Sequence, residues 1–139
     1  MKKTKTVPYS PCGLSYIYLS NVPVSETDAG EEYIDMPVAV IETAIAKALI
    51  TANVPLHGRE VKFLRKALKL PRNDWAKKLG ISAAGIFKWE NELDRRLSKV
   101  NEVAIRILCA EQLNIHLDCR WAMLISTDQS PVKIEVRAA

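Results

Sequence analysis

The sequence is poor in the residues that build disulfide frameworks, metal centres and phosphate loops. It has three cysteines, two histidines and five glycines, and 6% of its residues are aromatic. Cys12, Cys109 and Cys119 are odd in number and no pair has C-x-x-C spacing, which argues against a disulfide framework and a zinc knuckle. They read instead as small, soft core residues. There is no Gly-rich phosphate loop, metal motif or nucleophile elbow, so neither enzymatic activity nor a metal or cofactor is expected. No apolar run reaches the roughly 18 residues that a membrane span needs, and no membrane partner is expected. The basic start MKKTKTVPYS is followed by no apolar segment of the secretion type, so the expected compartment is the cytoplasm.

What is present is an ordinary globular balance: 139 residues, 48% hydrophobic and 26% charged, enough to bury a core without covalent staples. The net charge of +4 is unevenly spread. Residues 57–100 carry twelve basic and five acidic side chains, a surplus of +7, while residues 1–56 sum to −2 and residues 101–139 to −1. A basic block between acidic ends points to an anionic partner.

Patterning divides the chain. In residues 1–54, LSYIYLSNV reads as a strand and EYIDM as a second, short one. PVAVIETAIAKALIT follows as a helix, with Asp35 as its cap and Pro37 in its first turn. It has few polar residues, which predicts that it is nearly surrounded, by its own chain or by a second copy. In residues 55–115, GREVKFLRKALKL sets Val61, Phe63, Leu64, Ala67 and Leu68 on one face and Arg59, Lys62, Arg65, Lys66 and Lys69 on the other. LSKVNEVAIRILCAEQL repeats the helical spacing at Val100, Val103, Ala104, Ile107 and Leu108. In residues 116–139, AMLIS and VKIEV read as two strands around TDQSP, a hairpin-like extension.

Between those helices lies WAKKLGISAAGIFKWE. Gly80 suits the left-handed residue that ends one short helix, and Ser82 suits the N-cap of the next. Trp75, Leu79, Ile81, Ile86 and Trp89 face the angle between the helices, and Ala76 sits at their closest approach. Two short helices meeting at a tight glycine turn form a helix-turn-helix. The outward residues of the second helix, Ser82, Ala83, Ala84, Phe87, Lys88 and Asn91, face the major groove when the motif docks on DNA. Arg72 at the start of the first helix suits phosphate, and Asn73 beside it is a further DNA-binding candidate; Arg95, Arg96 and Lys99, which follow the second helix, either clamp phosphate or form a solvated loop.

LRKALKLPRNDWAKKLGISAAGIFKWE resembles the phage-repressor (Cro/C1, or Xre) helix-turn-helix family. With VIETAIAKALITANVPLHGREVKFLRKAL before it, the chain is similar to MqsA-like antitoxins and regulators without their zinc site. The resemblance spans residues 9–113. It implies a mainly α, five-helix repressor domain with short N-terminal and C-terminal β segments, acting as a homodimer on double-stranded DNA. It implies a buried Arg65–Glu90 ion pair, and base reading at Ala84 and Lys88. Where the family has a polar reader this chain has Ala84, which offers only a thymine-methyl contact, and Lys88 offers donors to guanine. The expected function is a DNA-binding transcriptional regulator, a repressor on a palindromic operator. The alternative is an antitoxin-like protein that neutralises a partner toxin through its N-terminal strands or C-terminal hairpin.

Overall fold

A computed structural model describes residues 3–117 and 129–138. The elements run β1 (Lys3–Pro8), β2 (Ile17–Glu26), β3 (Glu32–Ile34), α1 (Val38–Thr51), α2 (Gly58–Ala67), α3 (Arg72–Leu79), α4 (Ala83–Asn91), α5 (Lys99–Leu113) and β4 (Ile134–Arg137). The chain is not mainly α. Among the described residues it is an α/β fold, in which five helices accompany a four-stranded mixed sheet.

β2 is the centre of that sheet. Val24 pairs with Lys3 of β1 on one edge and with Ile34 of β3 on the other; Leu19 pairs with Val7 on one edge and Val136 of β4 on the other. β3 and β4 therefore lie end to end along a single edge of β2. The inward residues of β2 are Ile17 and Leu19, then Val22 and Val24. The alternation slips by one at Asn21, whose φ is +54°, where the register with β1 also shifts. Asparagine tolerates this left-handed conformation, and the extra residue is a bulge that keeps both halves of β2 facing the core.

β1 carries no apolar alternation, and its reading KTKTVP is that of a lysine-protected edge strand. β4 corresponds to the expected VKIEV strand, but its partner is β2, in parallel, and it closes the sheet from the far end of the sequence. AMLIS and the start of TDQSP lie outside the described residues, as does Cys119.

Helix α1 packs Ile41, Ile45, Ala46, Leu49 and Ile50 into the core. The chain's own described residues do not surround it: Val38 and Val40 are exposed. Nor does Asp35 cap it. Pro37 occupies the cap position without a side-chain hydrogen bond, and Asp35 accepts instead from Ser25 at 3.0 Å.

The phase of α5 also differs from its apolar spacing. Val100 and Ile107 are exposed, while Glu102 and Arg106 are buried. The reason is the segment between α1 and α2. Glu102 accepts from the Leu56 amide at 2.8 Å. Arg106 donates to the carbonyls of Ile50 and Val54 at 3.4 and 2.9 Å. These are backbone groups that burial would otherwise strand. Burial lowers the Arg106 pKa, and the neighbouring Glu102 opposes that shift.

Candidate nucleic-acid interface

The helix-turn-helix forms from α3 and α4. Gly80 closes α3 with φ +71°, a conformation open to glycine at little cost. Ser82 caps α4 by accepting from the Gly85 amide at 3.0 Å. Trp75 and Ile86 are fully buried between the helices, Ala76 is 7% exposed, and Leu79, Ile81 and Trp89 pack partly buried against them. The turn is thus built by the residues that its local chemistry selects.

Outward on α4, Ala84, Phe87, Lys88 and Asn91 are exposed. Ala83 is half-buried against the core, and the Ser82 hydroxyl is engaged in the cap. Phe87 is 51% exposed, a large apolar face turned to solvent beside Lys88. Asn73 is exposed in the first turn of α3.

Arg65 and Glu90 meet as expected. Arg65 Nε and Nη2 lie 2.8 and 2.7 Å from Glu90 Oε1. Sequence reasoning missed the third member. Arg72 Nε donates to Glu90 Oε2 at 2.7 Å, and its guanidinium lies 5.0 Å from the centroid of the Phe87 ring. Both oxygens of a buried carboxylate are thereby satisfied, and Arg72 also covers Phe87 by a cation–π contact. The Arg72 side chain is 38% exposed, so it ties α3 to α4 while remaining accessible to solvent.

Beyond α4 the chain turns through Glu92–Ser98 into α5. A notch of about 200 Å³ there is lined by Lys88, Arg95, Arg96, Ser98 and Asn101. Ser98 caps α5 by accepting from Asn101. Glu92 lines the same notch, so its three cations, Lys88, Arg95 and Arg96, stand beside a carboxylate at the start of α5. Arg95 is 68% exposed and pairs with Glu92 at 2.9 Å. Arg96 lies 3.7 Å from the buried Glu102 and pairs through its backbone with His57, so it belongs more to the fold than to the surface.

The loop is held by α2. Gly58 N donates to Arg95 O, Arg59 N to Leu93 O, and Leu97 N to Leu56 O. A Cβ at Gly58 would stand 2.0 Å from Trp89 O and 2.4 Å from Glu92 O, so only glycine permits this approach. His57 Nδ1 lies 2.9 Å from Glu60 Oε1. Burial raises the Glu60 pKa, and the bond to His57 works against that rise.

Among the described residues no cluster of metal-binding side chains occurs, and no helix is long and apolar enough to cross a membrane. No family model, curated protein or solved structure matches the chain.

Proposed function

We propose that the protein is a cytoplasmic DNA-binding regulator of the Xre type. It acts as a homodimer on a palindromic operator and represses by occluding a promoter. The observation that carries this reading is the exposed face of α4. Ala84, Phe87, Lys88 and Asn91 project from a helix whose opposite side is locked by Ile86 and Glu90. A helix so braced presents its side chains rigidly, as groove recognition requires. Phe87 and Ala84 supply apolar contact for thymine methyls, and Lys88 supplies donors for guanine. Arg72, Arg95 and the recess before α5 take backbone phosphates. Exposed Val100 and Ile107 on α5 favour a seam with a second copy near the recognition helix.

The test is selection of bound sequences from random duplex DNA at two salt concentrations. Enrichment of a palindrome with half-sites about 34 Å apart is the expected result. Salt-sensitive binding without enrichment leaves backbone affinity alone and overturns the sequence-specific reading.

The second reading is an antitoxin-like interaction protein. It draws on Tyr33, Val38 and Val40, exposed apolar residues of β3 and α1 that the helix-turn-helix does not use. Co-purification of a partner that survives Lys88→Ala, together with failed selection, would favour it.

A further inference from the structure

The basic face of α2 is only partly accounted for by the helix-turn-helix. Arg65 is committed to Glu90. Arg59, Lys62 and Lys66, spaced to share one face of the helix, instead border a cleft of about 420 Å³. That volume falls within the roughly 300–1,000 Å³ of small-molecule sites. The cleft lies between the loop after β1, α1, α2 and the loop after α4, so its walls come from four parts of the fold.

The lining is amphipathic. Leu93, 45% exposed, contributes apolar surface, and the buried Phe63, 6% exposed, lines the cleft from the core side. Asp94 is already ion-paired with Arg59, a carboxylate from the protein itself seated at one end of the cleft. Lys62 and Lys66 line the same cleft and have no ion-pair partner among the described residues. Among the described residues of the lining, the only other carboxylate is Glu42, and the three cations there outnumber the two anions beside an apolar wall.

We propose that this cleft binds a small organic monocarboxylate with an apolar body. The carboxylate meets Lys62 and Lys66, and the body rests on Phe63 and Leu93. The site is separate from the exposed face of α4, and its occupancy does not depend on DNA binding. It touches the DNA-facing region through one element. Leu93 and Asp94 belong to the loop after α4, and Leu93 O accepts from both Arg59 N and Arg59 Nε, at 3.2 and 3.3 Å.

The probes are 1-naphthoate, its neutral analogue 1-naphthamide, and inorganic phosphate, each titrated into the full chain by calorimetry and by amide chemical shifts. The expected result is saturable naphthoate binding, with shifts centred on α2 and the loop after α4. The amide and phosphate should each bind at least about tenfold more weakly, because each lacks one half of the recognition. The Lys62→Ala/Lys66→Ala double variant should lose about tenfold in naphthoate affinity. Should that variant fold poorly by circular dichroism, Lys62→Gln and Lys66→Gln carry the same test singly. No naphthoate binding at millimolar concentration overturns the proposal. So does equal binding of acid and amide, equal binding of phosphate, or an affinity that the lysine substitutions leave unchanged.

Discussion

Arg72 Nε donates to Glu90 Oε2 at 2.7 Å, tying the first residue of α3 to the last turn of α4. The tie crosses the helix-turn-helix on the side opposite its glycine turn. With Arg65 on the other oxygen, Glu90 becomes the point at which α2, α3 and α4 are joined. Its side chain is 2% exposed and that of Arg72 is 38% exposed, so substitution of the carboxylate is tolerated less than substitution of Arg72.

Glu90→Ala should therefore destabilise the fold by about 3 kcal/mol, since it leaves Arg65 largely buried without its anion. Arg72→Ala should cost less, about 1 kcal/mol, because that arginine is 38% exposed and water screens the pair. Urea denaturation reads both. An unchanged midpoint for Arg72→Ala would mean that the side chain braces nothing and serves phosphate alone.

Lys88 and Arg95 should separate cleanly on DNA. Lys88→Ala is expected to flatten the preference between the selected palindrome and a scrambled duplex. Arg95→Ala is expected to weaken both duplexes alike and to reduce the salt slope by about one. If Lys88→Ala weakens both duplexes equally, base reading must reside in Phe87, Asn91 or the shape of the DNA.

Gly58→Ala tests the clamp between α2 and the end of α4. The added methyl has backbone carbonyls in its path on the Trp89 and Glu92 sides, and backbone yields less readily than a side chain. A loss of about 2 kcal/mol or more is expected, from overpacking. A variant as stable as the parent would show that the loop after α4 moves freely away from α2.

Alkaline pH provides a fourth test. Burial pushes the Cys109 thiol from 9.0 up to about 12, with Arg106 pulling weakly the other way. Here the folded pKa is raised and the charged form is the deprotonated one. The unfolded chain therefore ionises first, and stability falls as pH rises from 9 towards 12. The slope from this group approaches about 1.4 kcal/mol per pH unit. Tyr16, its pKa also raised by burial, adds to the fall above its ordinary value of 10.0. Stability measured against pH for Cys109→Ala should show a shallower decline between pH 9 and 10. An identical slope would mean that the thiol is not sheltered in the fold.

Much of the helix-turn-helix was legible in the sequence because its determinants are local. Gly80 ends α3, Ser82 caps α4, and the spacing of Trp75, Ile86 and Trp89 sets which sides face inward. The exposure of Phe87 follows from the same phase. Elsewhere local pattern misled. The spacing of Val100 and Ile107 reads as a buried stripe, yet α5 turns Glu102 and Arg106 inward, because the amide of Leu56 and the carbonyls of Ile50 and Val54 need partners there. Those partners are 46 to 56 residues away, beyond the reach of any helical period.

The sheet is the larger case. Lys3–Pro8 has no apolar alternation, and it is a strand because β2 offers it an edge. Ile134–Arg137 suggests a strand but not its partner, which is the same β2 from the other end of the chain. By itself the sequence determined the helices, their turn and the basic central third, since propensity, capping and charge act over a few residues. Only the tertiary structure decided that the fold is α/β, that Arg72 binds Glu90, and that Arg59, Lys62 and Lys66 share a cleft. Strand pairing, buried ion partners and cavities depend on which distant segments meet, and that is set by packing the whole core together.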